Sequence, residues 1–172
     1  LLVILSGPEP QRSIFEEQIK THLSDTDLSV IIVRGVTELY QETMLTEKIK
    51  MISYATADKL LELIVAAQLI LSRPGYSTIM DMAALGKKAV FVPTPGQTEQ
   101  EYLAKYLKEQ HLFFSMPQAE FNIQTALEQA EHYQPQQLSN TQNVLEMQIQ
   151  SIFQKLEKQK RSLAKTGKAP LD

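Results

Sequence analysis

Residues 69–102, LILSRPGYSTIMDMAALGKKAVFVPTPGQTEQEY, decide the fold. The apolar run Leu69–Leu71 reads as a strand, and Pro74-Gly75 ends it sharply. Ile79–Leu85 then reads as a helix, with Gly86 where helices commonly stop. Ala89–Val92 is the next strand, and a polar loop leads into a helix over Glu99–Gln110. Strands that are apolar throughout, separated by helices, predict a parallel sheet covered on both faces. The start of one helix and the tip of the following loop then meet at the carboxyl ends of adjacent strands, where open α/β sheets bind ligands.

The pattern extends outward in both directions. Leu1–Leu5 reads as a strand and Gln11–Leu23 as a helix, with Ile14, Phe15, Ile19 and Leu23 spaced for one face. Leu28–Val33 and Ile49–Ile52 are strands, while residues 35–48 suggest an irregular connection with a short helix. Ala57–Ala67 is helical, Leu112–Phe114 a short strand and Asn122–His132 a further helix. The fold class is therefore α/β: a doubly wound, Rossmann-like parallel sheet with helices on both faces. Residues 1–138 are expected to form that domain, and residues 139–172 a separate C-terminal helix with a basic tail. From Lys155 to Lys168 the tail holds six Lys or Arg and one acid, Glu157. It reads either as a solvated terminus or as a segment that packs on another domain or lies near anionic lipid. A chain whose first residues already form a buried strand is expected to be the later half of a longer protein.

The composition narrows the function. The chain has 172 residues, of which 43% are hydrophobic and 22% charged, which describes one water-soluble domain with a real core. A net charge of −3 gives no general attraction to nucleic acid. Cysteine is absent, which removes disulfides and thiolate metal sites. Neither a metal nor a cofactor is expected, and the protein is expected to be cytoplasmic. No apolar run approaches the ~20 residues of a membrane span.

Three stretches carry candidate chemistry. The first is Ser6-Gly7-Pro8-Glu9-Pro10-Gln11-Arg12, after the opening strand. It matches neither GxGxxG nor a Walker A loop, which weakens dinucleotide and triphosphate readings. Gly7 allows close backbone approach to a ligand, and Arg12 is either a phosphate partner or the exposed end of a stiff turn. The second is Gly75-Tyr76-Ser77-Thr78, at a helix start whose free N–H groups suit a diphosphate. Asp81 follows on the same face, where it either accepts hydrogen bonds from a ribose diol or simply favours the helix start. Tyr76 either covers a ligand ring or packs. The third is Thr94–Glu101, whose Gln97, Gln100 and Glu101 suit sugar hydroxyls. Thr98 and Glu101 also fit a capping box. His22, His111 and His132 are isolated; His111 is the nearest to the site in chain order, and none makes a convincing base.

The run RPGYSTIMDMAALGKKAVFVPTPGQTEQEY resembles the C-terminal donor-binding domain of glycosyltransferase family 28, which has the two-domain GT-B architecture. Arg73, Gly75, Thr78, Asp81, Ala83, Ala84, Gly86, Pro93, Gln100 and Tyr102 fall on the family pattern. Weaker similarity covers most of residues 1–115. The resemblance implies a nucleotide-sugar site, with a UDP-sugar as donor, UDP-N-acetylglucosamine among the candidates. The backbone near Tyr54–Ala57 would face the base, Gly75–Thr78 the diphosphate, Asp81 the ribose, and Gln100 and Glu101 the sugar. It also implies inverting transfer without a metal, to an acceptor bound largely by an N-terminal domain, in a protein at the inner membrane face. Three positions depart from the family: Asp81 where Glu is frequent, Ser6–Pro10 in place of a Gly-Gly-Ser-type loop, and Glu101 where an amide is common. A nucleotide-sugar epimerase of the same architecture and a binding domain without transfer activity are the alternatives.

Overall fold

The computed structural model describes residues 1–24 and 26–133, together with Met147, Gln150, Ser151, Gln154 and Lys158. The chain divides into two units, residues 1–137 and 138–172. In the second unit those five residues are helical; the rest of the helix expected over 139–163, and the basic tail apart from Lys158, lie outside the described residues.

The first unit runs β1 (Leu2–Ile4), α1 (Gln11–Leu23), β2 (Val30–Val33), β3 (Glu42–Met44), β4 (Ile49–Ile52), α2 (Ala57–Ala66) and β5 (Ile70–Ser72). It continues through α3 (Tyr76–Ala84), β6 (Ala89–Phe91), α4 (Thr98–Glu109), β7 (Phe114–Ser115), a 3-10 turn (Gln118–Glu120) and α5 (Ile123–Ala130). The sheet order is β3-β4-β2-β1-β5-β6-β7. β3 is antiparallel to β4, and every other pairing among the described strands is parallel. The chain winds from β1 to β2 in one direction and from β4 to β5 in the other, so the order reverses between β1 and β5. Right-handed crossovers then put α1 on one face and α2, α3 and α4 on the opposite face. α5 joins α1 on the first face.

The strand period of two sorts the core. Val3, Leu5, Ile32, Leu71, Val90, Val92 and Phe114 pack with Phe15, Ile19 and Leu23 of α1 and with Ile123, Ala126 and Ala130 of α5. Phe15 is fully buried and meets Phe121 edge-on at 5.1 Å, a contact that adds about 1 kcal/mol to its burial. Alternate residues Leu2, Ile70, Ala89 and Phe91 are equally buried and face the other way, toward the layer that holds Ile64, Ile79, Met82, Leu103 and Leu107.

Some boundaries differ from expectation. Residues 35–48 contain no helix; they contain β3, an edge strand whose three residues are all exposed. It is held by backbone pairing, by the Lys50–Glu42 ion pair, and by Ser53 and Gln41, which exchange backbone and hydroxyl bonds. α3 begins at Tyr76, three residues before the expected Ile79, because Gly75 has the extended backbone of an N-cap. It ends as expected: Gly86 has φ +59°, Gly86 N–H reaches Ala83 O and Lys87 N–H reaches Met82 O at 2.9 Å. This is a Schellman closure.

Candidate functional site

The loops that leave the carboxyl edge of the sheet differ in their local chemistry. At the β5–α3 junction the chain turns through Arg73, Pro74 and Gly75, with Gly75 N–H on Arg73 O at 2.9 Å. Gly75 caps α3 with no side chain, and the first turn carries no acid. Ser77 is exposed, Thr78 half-buried, and Asp81 exposed one turn further along. α2 and α5 are built differently: Thr56 accepts the Lys59 N–H, and Asn122 accepts the Thr125 N–H at 2.9 Å. α3 thus presents the positive end of its dipole without a side-chain cap, at the point where the strand order reverses.

The β6–α4 loop is rigidly folded. Thr94 N–H donates to Gln100 Oε1 at 2.8 Å, Gln100 Nε2 to Gln97 Oε1 at 2.6 Å, and Gly96 N–H to Glu101 Oε1 at 2.9 Å. The expected Thr98–Glu101 capping box does not form. Gln97 is the N-cap, so Thr98 is already helical, and Glu101 reaches back to Gly96. Gln100 and Glu101 therefore order this loop through their acceptor oxygens. Beyond it, a cavity of about 400 Å3 opens beside α4, lined by Pro93, Pro95, Glu101, Ala104, Met116 and Pro117 among others. Glu101 is the one expected site residue in its lining.

The β1–α1 loop is closed on itself. Gly7 takes φ +102°, and a Cβ there would stand 3.4 Å from Thr94 Oγ1. Arg12 pairs with Glu9, donates to Arg34 O at 3.1 Å, and lies 3.7 Å from Glu16. Glu9 also accepts the Ser13 N–H in the first turn of α1. Glu16, 3% exposed, takes Arg34 Nε at 3.0 Å and Lys20 Nζ at 2.7 Å. Burial pushes its carboxyl up, but the hydrogen bonds from Arg34 and Lys20 outweigh that and hold it below the ordinary range. Arg12 is therefore committed to internal partners.

Arg73 also turns inward. It is 2% exposed and follows Leu71 by two residues, which directs it to the α1 face. Its guanidinium donates to Val92 O at 2.9 Å, Pro93 O at 3.0 Å, Gln11 O at 3.4 Å and Gln118 Oε1 at 2.6 Å, and lies 4.3 Å from the Phe15 ring centre. Burial lowers its pKa to about 10. Of the other expected residues, Tyr54 is half-buried after β4 and meets Tyr40 edge-on at 5.4 Å, and Tyr76 is half-buried at the start of α3. His111 follows the C-terminus of α4, so the winding carries it to the amino end of the sheet, away from these loops. His22 lies edge-on to Phe121, and His132 is exposed.

Sequence reading missed Gln11, Phe15, Thr94 and Gln118. Gln118 is buried, links Arg73 to Gln11, and joins the turn after β7 to the start of α1. A lone Gln in an exposed-looking MPQAEF segment carries no periodic signal that would have found it. Among the described residues no group of three or more His, Cys, Asp or Glu gathers in a metal-binding arrangement, and no helix is long and apolar enough to cross a membrane.

A family model described as the glycosyltransferase family 28 C-terminal domain matches residues 3–166. A UDP-N-acetylglucosamine–N-acetylmuramyl-(pentapeptide) pyrophosphoryl-undecaprenol N-acetylglucosamine transferase from Mannheimia succiniciproducens is 34% identical over 92 residues, 52% of this chain and 25% of that protein. Only about a quarter of that relative's length is therefore matched. The solution structure of ALG13 superposes with a TM-score of 0.62 at 14% identity, covering 88% of this chain and 95% of that one. The crystal structure of CalG4, the calicheamicin glycosyltransferase, gives 0.63 at 16% identity, covering 90% and 43%. These structural likenesses establish the shared fold.

Proposed function

The chain belongs to glycosyltransferase family 28 as its C-terminal domain, and from that premise we propose that it binds the nucleotide-sugar donor of a two-domain hexosyltransferase. The donor in this reading is a UDP-sugar, with UDP-N-acetylglucosamine favoured by the activity for which the Mannheimia relative is named. The observation that carries it is the uncapped start of α3 at the switch point. Backbone N–H groups of the first turn, with the Ser77 and Thr78 hydroxyls, would hold the diphosphate, and Asp81 the ribose. The loop after β4, from Tyr54, would receive the base, and Gln97, Gln100 and Glu101 the sugar.

Transfer by this reading inverts the anomeric centre and needs no metal. As the bond from sugar to diphosphate breaks, negative charge grows on the departing phosphate. Fixed N–H dipoles at a helix start stabilise that charge without reorganising. The base that takes the acceptor proton would come from outside the described residues, so this domain alone is expected to be inactive in transfer. Residues 139–172, with their basic tail, are proposed as a separate segment that docks on an N-terminal domain at the inner membrane face. The proposed localisation is cytoplasmic.

Calorimetric titration with UDP, UDP-N-acetylglucosamine and GDP tests the reading. The two uridine nucleotides should bind and GDP should bind more weakly. Thr78→Ala and Asp81→Ala should each weaken UDP by about tenfold, the effect of one good charged hydrogen bond. Absence of binding by all three ligands would overturn it.

A further inference from the structure

Among the described residues, the fold pairs its other deeply buried charge and leaves Arg73 without a counter-ion. Glu16 is 3% exposed and has three cations around it. Arg73 is 2% exposed, yet takes part in none of the ion pairs found among the described residues. Its four hydrogen-bond partners are three backbone carbonyls and one amide oxygen, all neutral. Its Nε–H is buried with no partner. An isolated charge is costly to bury, and hydrogen bonds to neutral groups recover only part of the loss. A buried cation kept without a counter-ion therefore calls for an anion that arrives from outside.

Its place says which anion. Val92 and Pro93 open the β6–α4 loop, Gln11 opens α1, and Arg73 O takes the Gly75 N–H at the cap of α3. The guanidinium is thus bonded beneath two loops of the carboxyl edge and is two residues from the third. The positive ends of α1 and α3 lie at the same edge, the first met by Glu9 and the second without a side-chain cap. We propose that Arg73 is a positioning residue for the donor's diphosphate, a fixed positive charge beneath the loops whose counter-ion is the ligand and which does not itself touch it. The inference rests on the nucleotide-sugar reading and reassigns Arg73 within it.

Gln118→Glu in the intact protein is the test. It places a carboxylate where an amide oxygen now stands 2.6 Å from the guanidinium, supplying the missing counter-ion within the fold. The expected result is a raised thermal midpoint together with UDP affinity lower by about tenfold. Affinity for uridine, which has no phosphate, should stay within about twofold of the parent, because its contacts are untouched. A purely structural Arg73 predicts the gain in stability with UDP binding unchanged, and that result overturns the proposal. Parallel loss of UDP and uridine, which would mean a distorted site, also overturns it. Should Gln118→Glu fail to fold, Arg73→Met is measured against the same two ligands, with the same criteria. If the parent binds uridine but not UDP, or neither, the donor reading itself falls, an outcome distinct from failure of the variant.

Discussion

The β1–α1 and β5–α3 junctions leave adjacent, directly paired strands, and each turns through Gly and Pro into a helix. They treat the helix start in opposite ways. At α1 the Glu9 carboxylate accepts a first-turn N–H and holds Arg12, while Arg12, Arg34 and Lys20 converge on Glu16. At α3 no side chain caps, no acid stands in the first turn, and the cation beneath is unpaired. Topology makes both ends candidate anion sites. Side chains of the chain itself gather charge around the start of α1, while the start of α3 carries neither a side-chain cap nor a first-turn acid.

The comparison breaks most severely if the residue of the β5–α3 turn that bonds beneath the start of α1 is removed. Arg73→Ala strips hydrogen bonds from Val92 O, Pro93 O, Gln11 O and Gln118 Oε1 and empties the space over Phe15. Buried acceptors left unpaired, plus the cavity, should cost about 3–4 kcal/mol, read as a lower midpoint in urea. Arg12→Ala loses a pair with the exposed Glu9 and leaves Glu16 still held by Lys20 and Arg34, so it should cost about 1 kcal/mol in the same measurement. Equal losses would mean that Arg73 is no more deeply committed to the fold than Arg12.

Making the open junction resemble the closed one is the next largest change. Gly75 has φ −78°, which any residue adopts, and a Cβ there would meet only Thr78 Oγ1 at 3.7 Å. Gly75→Asp should therefore be accepted and should cap α3, a gain of a few tenths of a kcal/mol. The same carboxylate would occupy the proposed diphosphate position, and UDP affinity should fall by about 30-fold or more. Stability and binding moving in opposite directions, by thermal melts and calorimetry, is the signature. Unchanged UDP affinity would remove α3 as the phosphate site.

What the sequence made legible follows from which residues leave a periodic trace. The parallel strands are continuous apolar runs, so β1, β2, β4, β5 and β6 stood where VIL-, IIV- and VFV-type segments put them. β3 left no trace because all three residues are exposed and it is held by pairing with β4. The Gly75 turn was readable as a helix start from Pro-Gly and the hydroxyls after it, although Tyr-Ser-Thr hid three helical residues. The inward turn of Arg73 was not readable. It depends on strand parity at Leu71 and on partners 19, 20, 45 and 62 residues distant in the chain. For Arg12 the partners were half legible: Glu9 and Glu16 lie one helical turn away on either side, but Arg34 is 22 residues distant.

The closed junction makes its own prediction in acid. Glu16 titrates below the ordinary glutamate range when folded, because hydrogen bonds from Arg34 and Lys20 outweigh the upward push of burial. A carboxyl depressed by folding contributes its stability above its unfolded value and loses it as pH falls toward the folded one. Urea midpoints should thus decline from about pH 6 to about pH 3. Glu16→Gln should be less stable than the parent at neutral pH, with a shallower decline, so that the two converge in acid. A constant gap between them across that range would show that the cluster is not what closes this end of the sheet.

The smallest effect expected is from opening the closed junction. Glu9 is exposed, and its carboxyl is held down first by hydrogen bonding to Ser13, with Arg12 adding a smaller pull. Glu9→Gln removes the charge from the start of α1 and releases one partner of Arg12, but Arg34 O and Glu16 still hold that guanidinium. If α3 alone carries the diphosphate, UDP affinity should change by less than about threefold, which is the scale of one screened surface charge. A rise of tenfold or more would mean that Glu9 competes with the ligand for the α1 end. The two junctions would then be two halves of one anion site, one of them self-occupied, and the contrast drawn between them would become a device for tuning donor affinity.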